Sequence, residues 1–318
     1  MTVVAVVLVV LGLAGAGSAA SVDLGTPCGS STLATVVAVD SRVANNIYGS
    51  ELQGNETTVD LGHITGAADL LSAVAAGNRA AAFKAVSRIV YHHFWHIVRL
   101  RALDTSGRVL ADIGGPYVIA PVTGVLRSGP RVIGSFVMSV QDDMGFAKLE
   151  RHAIGDPIAI YMNGRLAVEL GGRFPFRPPA GAQVSLAGTP HAAVTLTYNA
   201  FPSGTLSAVI AVPIPSASVS TQSCPAVTVA ETGRVAERLA ARFNPLAASY
   251  SGFVQTCHAD TGAIVVVRIG MRVLDGAGGP GPSMLPLSGP VTYQSKTWLV
   301  YSFAPTPPAR IYLLIAQP

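Results

Sequence analysis

The sequence predicts an α+β fold: antiparallel sheets flanked by a long N-terminal helical region, arranged as two modules. Apolar residues recur at three and four positions before about residue 95, and apolar and polar residues alternate after it. Part of that later pattern then returns after about 106 residues. Helices first and strands afterwards indicate antiparallel sheets rather than a parallel, doubly wound one.

From Ser31 to about Gln53, Val36, Val39, Val43 and Ile47 fall on one helical face, with Ser30 or Ser31 able to cap it and Gly54 to end it. Ala67 to Ala76 is a second helical stretch, stopped by Gly77. Asn78 caps a third, from Arg79 to about Phe94, with Phe83, Val86, Ile89 and Val90 inward. His96 to Leu103 then alternates as a half-buried strand. The run Asp104-Thr105-Ser106-Gly107 is a turn, Arg108 to Asp112 a return strand, and Gly114-Gly115-Pro116 a break. Further strands are expected over Tyr117 to Pro121 and Arg131 to Gln141. A short helix over Asp142 to about His152 places Asp142 and Asp143 at its positive end.

Five strands follow, near Pro157 to Met162, Arg165 to Glu169, Gln183 to Leu186, Ala192 to Tyr198 and Leu206 to Val212. The proline-rich stretch 213–225 reads as a linker. Beyond it a helix from about Val227 to Phe243 precedes strands near Ala263 to Leu274, Val291 to Phe303 and Arg310 to Ala316. The repeat sets Val184-Ser185-Leu186 against Val291-Thr292-Tyr293, and Val194-Thr195-Leu196 against Tyr301-Ser302-Phe303. Leu206 to Ala211 matches Ile311 to Ala316, and His152-Ala153 and Ile158 match His258-Ala259 and Ile264. The expected organisation is a leader over 1–20, an α+β domain with its N-terminal helices over 21–212, the linker, and a second, smaller module over 226–318.

Of 318 residues, 50% are hydrophobic and 12% charged, which excludes an intrinsically disordered chain. The 21 basic and 17 acidic residues are scattered, with no Lys/Arg run to neutralise neighbouring phosphates, so nucleic acid is not an expected partner. Val3 to Leu13 is an apolar run, followed by small residues from Ala14 to Ala20, as in a secretory signal peptide. The run is short for ~30 Å of hydrocarbon, although an uncleaved anchor is the alternative. Either way the expected location is extracytoplasmic, secreted or anchored by this segment. Cys224 and Cys257 flank the predicted helix, and a disulfide between them would close a loop of about 33 residues, a constraint of about 3–4 kcal/mol. Pairing with Cys28 stays open.

After the long helical region come Val98-Arg99-Leu100-Arg101-Ala102-Leu103-Asp104-Thr105-Ser106-Gly107-Arg108-Val109-Leu110-Ala111-Asp112 and then Val132-Ile133-Gly134-Ser135-Phe136-Val137-Met138-Ser139-Val140. This arrangement resembles the extracytoplasmic Cache domains, PAS-like sensor modules, in their double-module form. The resemblance covers about residues 31–170 best, with a degenerate second module over about 226–318. It implies five-stranded antiparallel sheets flanked by helices, with a small-molecule pocket on one sheet face. Family members usually continue through a membrane into a kinase, cyclase or chemotaxis output domain, and a sensor-type protein without an output domain of its own is expected here.

The densest group of functional side chains is Tyr91-His92-His93-Phe94-Trp95-His96. On a helix, His92 and His96 would share a face and present two imidazoles to one metal, with His152 or Asp142 as a third ligand. The plainer reading is a helix end, with imidazoles at its negative pole and aromatics sealing the sheet. No cofactor is expected.

A ligand pocket would use Tyr91 and Trp95 as walls and Arg99 and Arg101 as fixed charge for a carboxylate. Tyr117, Ser139, Gln141 and Asp142 would supply hydrogen bonds. The competing roles are a solvated sheet face for the arginines, core packing for Trp95 and helix capping for Asp142 and Asp143. Enzymatic readings lack their motifs, since no Gly-x-Ser-x-Gly, His-Glu-x-x-His or Ser-x-x-Lys occurs in the mature region. Asn55-Glu56-Thr57 is read as a chance glycosylation sequon. The sequence thus points to non-catalytic binding of a small polar metabolite, with a membrane receptor or envelope protein as partner. The alternative is a structural or interaction protein of the cell envelope whose pocket is filled by its own side chains.

Overall fold

The computed structural model describes residues 32–116, 118–214, 224–241, 250–270, 272–276, 285–305 and 307–316. The leader, Cys28, Tyr117 and most of the expected linker lie outside the described residues.

Four helices come first: α1 (Thr32–Gln53), α2 (Asn55–Thr65), α3 (Ala68–Ala75) and α4 (Arg79–Val90). Six strands follow: β1 (Arg99–Asp104), β2 (Val109–Gly114), β3 (Val118–Ile119), β4 (Val122–Ser128), β5 (Arg131–Ser139) and β6 (Gln141–Asp142). Next are α5 (Asp143–Ile154), β7 (Ile158–Met162), β8 (Arg165–Leu170), β9 (Gln183–Leu186), β10 (Thr189–Phe201) and β11 (Thr205–Pro213). The last part holds α6 (Cys224–Ala240), α7 (Ser251–Thr261), β12 (Ile264–Ile269), β13 (Arg272–Gly276), β14 (Gly289–Tyr293), β15 (Lys296–Phe303) and β16 (Ala309–Ala316). The fold is α+β, with antiparallel strand pairing in three sheets.

The strand orders expose the repeat. The third sheet runs β13-β12-β16-β15-β14, and the second contains β8-β7-β11-β10 with β9 beside β10 and β3 and β6 extending it. Both place a hairpin first and then return the last strand beside the hairpin's first. The first sheet, β2-β1-β5-β4, has the same order with one strand fewer. The sequence pairs set in register at about 106 residues are therefore β9 with β14, β10 with β15 and β11 with β16.

Two apolar clusters show how the helices are used. Ile64, Leu70, Val86 and Ile89 of α2 to α4 pack on Leu100, Leu126, Phe136 and Met138 of the first sheet. The larger cluster joins Val43 of α1, Phe146 of α5, Val235 of α6 and Phe253 of α7 to Ile210 of the second sheet and Leu313 of the third. One face of α1, legible in its 3.6-residue periodicity, thus ties sheets on both sides of segment 213–225. Fully covering a valine such as Val43 contributes about 1.5–3 kcal/mol. Among the described residues no helix is long and apolar enough to cross a membrane.

Candidate functional site

The site begins where α4 stops. Asn78 caps its start, accepting from the Ala81 N–H at 3.0 Å, and Tyr91 closes its end with an N–H bond to the Ser87 carbonyl at 3.0 Å. The chain then leaves helical geometry and crosses to β1, where the Val98 N–H bonds the Ser139 carbonyl at 2.9 Å. Opposite, β2 ends on Gly114 at φ 131°. A Cβ there would stand 2.2 Å from the Val98 carbonyl oxygen, so only glycine lets the two segments pass.

These segments border an open groove of about 740 Å³, lined by Glu56, Tyr91, Trp95, His96, Gln141 and Asp142 with the backbone of Gly114 and Gly115. Tyr91 is 70% exposed. Trp95 is half-buried, its indole stacked between His63 (4.3 Å between centroids, 13°) and His92 (4.0 Å, 24°). His63 is held in turn by Asp60, with Nδ1 3.2 Å from Oδ1. The His96 imidazole contacts the Glu56 carboxylate.

Gln141 donates to Glu51 at 3.4 Å. Burial pushes the Glu51 carboxyl above its usual range, helped by repulsion from Glu56. Asp142 accepts from the Gly145 N–H at 2.6 Å and caps α5, and burial raises the neighbouring Asp143 carboxyl. The groove therefore combines the open Tyr91 ring and the Trp95 edge with a carboxylate-bearing wall.

Five expected site residues meet at or beside this groove: Tyr91, Trp95, Gln141, Asp142 and the metal candidate His96. Others do not. Ser139 is buried, donates to the Ile119 carbonyl and accepts from the Gln141 N–H at 3.1 Å, so it braces the β5–β6 corner.

Arg99 and Arg101 are not available as charge for a ligand carboxylate. Asp112, paired across β1 and β2, binds Arg99 through two contacts of 2.9 Å and Arg101 at 2.6 Å. Both guanidinium groups lie over the Phe201 ring, at 4.8 and 4.9 Å. Burial of Asp112 opposes its ionisation, but the arginine hydrogen bonds outweigh this and hold its carboxyl below the usual range. Because Phe201 belongs to β10, this cluster also fastens the first sheet to the second.

Two further expectations are corrected. His92 and His96 do not share a helical face, because α4 ends at Val90 and both lie in the crossing segment. Among the described residues no group of three or more His, Cys, Asp or Glu is placed to hold a metal, and His152 is exposed on α5. Cys257 carries a free, buried thiol on α7, so the bridge to Cys224 at the start of α6 is not formed. Burial in the core pushes that thiol up to about 12.

Sequence reasoning missed Glu51, Glu56, Asp60 and His63. Glu56 lines the groove from α2, whereas Glu51 on α1 acts through Gln141, and Asp60 and His63 on α2 act through Trp95. All four lie about 30–40 residues before the aromatic run, and their only sequence signal was Asn55-Glu56-Thr57. It also missed a buried ion cluster in which Arg234 of α6 meets Glu231 at 2.9 Å, Asp40 of α1 at 3.3 Å and Asp156 at 4.0 Å.

No protein-family model matches the chain, and no curated protein does. A solved structure, the periplasmic domain of Vibrio cholerae LuxQ, aligns with 57% of this chain and 98% of its own length, at 11% identity and a TM-score of 0.30.

Proposed function

We propose that this chain is an extracytoplasmic protein that binds a small polar metabolite in the groove at the α4–β1 crossing, without chemical turnover, and passes its occupancy to a membrane or envelope partner. The leader-like N-terminus supports the location. The observation that carries the binding role is the groove itself, where the largely exposed Tyr91 ring and the edge of Trp95, braced on both faces by His63 and His92, stand beside Glu56 and Asp142. The open Tyr91 face and the carboxylates together attract a cation. Arg99 and Arg101 are committed to Asp112, and no Arg or Lys is among the described residues lining the groove. The carboxylates of Glu56 and Asp142 keep acceptor capacity beyond their contacts with His96 and the Gly145 N–H, so the favoured ligand is a small amine rather than an organic acid.

A thermal-shift screen with amino acids, organic acids, purines and divalent metals tests this, because ligand binding stabilises by mass action. Amine-bearing compounds should raise the melting temperature, and Trp95→Ala or Glu56→Gln should remove the response. The second reading, an envelope interaction protein with its pocket filled by side chains, is favoured by the Arg99–Asp112–Arg101–Phe201 cluster. It expects no shift with any class.

A further inference from the structure

The turn from α7 into β12 repeats the turn from α5 into β7. Each helix ends on a left-handed glycine, Gly155 at φ 91° and Gly262 at φ 68°, whose N–H bonds a helix carbonyl at 2.8 Å. An arginine lies over each. A Cβ on Gly155 would strike the Arg238 guanidinium, and one on Gly262 would stand 3.3 Å from Arg42 Nη1.

The two turns differ in how positive charge is answered. Beside Gly155 the protein supplies its own anions: Asp156, which follows the glycine, interacts electrostatically with Arg238, and with Asp40 and Glu231 it also surrounds the neighbouring Arg234. Ala263 follows Gly262, and Arg42 gives one N–H to a neutral acceptor, the Thr261 carbonyl at 3.1 Å.

Next to Arg42 is a partly enclosed recess of about 210 Å³, between α1, α6, the α7–β12 turn and β15 and β16. Among the described residues its lining holds one charged side chain, Arg42, and no carboxylate. Thr232 on α6, almost wholly covered, contributes a hydroxyl, and Val39, Leu299 and Ile315 form an apolar floor.

We propose that this recess is a second binding site, for a small monocarboxylate whose carboxyl group pairs with Arg42 while its short apolar body rests on the floor. A carboxylate matches the two-pronged donor geometry of a guanidinium. The volume lies below the ~300–1,000 Å³ of drug-sized pockets, which limits the guest to a few heavy atoms. The site is distinct from the groove at Trp95 and has the opposite charge preference.

The test is calorimetric titration and thermal shift of the full chain with sodium butyrate, against sodium chloride at equal ionic strength. Wild type should show saturable binding and a rise in melting temperature. Arg42→Gln, at an exposed position, should weaken binding at least about tenfold. Ala38→Leu, which fills the recess while leaving Arg42 in place, should do the same. Absence of binding to wild type, undiminished binding to both variants, or an equal response to phosphate would each overturn the assignment.

Discussion

Glu150 of α5 is the clearest case of a side chain working against its surroundings. It is fully buried, and neither carboxyl oxygen has a hydrogen-bond partner among the described residues. Burial pushes its carboxyl well above the usual range. In the unfolded chain the same group ionises near pH 4.3. The stability associated with its neutral form is therefore fully present below that pH and is lost as pH rises through the raised folded value. Glu150→Met should raise the melting temperature at pH 7.5 by about 2–6 °C, with the gain shrinking by pH 4.5. An equal gain at both pH values would mean that charge is not the cause. Periodicity placed this residue on a helix but carried no sign that its side chain points into the core. The partner of Trp95 within the aromatic run, His92, was legible, whereas His63 was not, because its approach depends on how α2 packs.

At the scale of elements, local chemistry was legible wherever one residue decides a turn. Asp104 accepts from the N–H groups of Ser106 and Arg108 and from the Ser106 hydroxyl. Those bonds, led by the Ser106 hydroxyl, lower its carboxyl to about 2 and fix the β1–β2 hairpin. Asn78 and Asp142 cap helices as their side chains allow. Elements without such markers were missed: α2, with its Thr57-Thr58 pair and sparse apolar face, α7, and β4. The end of α4 was set too late, because the aromatic run continues the apolar pattern past the point where the backbone turns toward β1. Gly114 marks the other side of that crossing. Gly114→Ala should cost about 1–3 kcal/mol in urea unfolding and disturb the groove, because its Cβ would collide with backbone. A variant as stable as wild type would show that the crossing tolerates displacement.

For the whole molecule, the repeat was half visible. Strand spacing matched the second and third sheets, which share a strand order, whereas the first shares that order without a spacing that matches. The packing role of α1 was not visible, because periodicity defines a face and not what it meets. The two tryptophans report on different parts, Trp95 on the first sheet's cluster and Trp298 on the third sheet's. Val43→Ala in α1 should lower the denaturant midpoint read by Trp298 in a Trp95→Phe background. It should leave the midpoint read by Trp95 in a Trp298→Phe background nearly unchanged, and an equal loss in both would mean that the two clusters unfold as one.

The groove itself is tested most directly by Trp95 emission in the Trp298→Phe chain, titrated with small primary amines and with organic acids of matched size at constant ionic strength. Binding in the groove beside the indole predicts a saturable change with an amine, abolished by Glu56→Gln, and none with the acids. Emission indifferent to every amine, or saturating only with the acids, would contradict it.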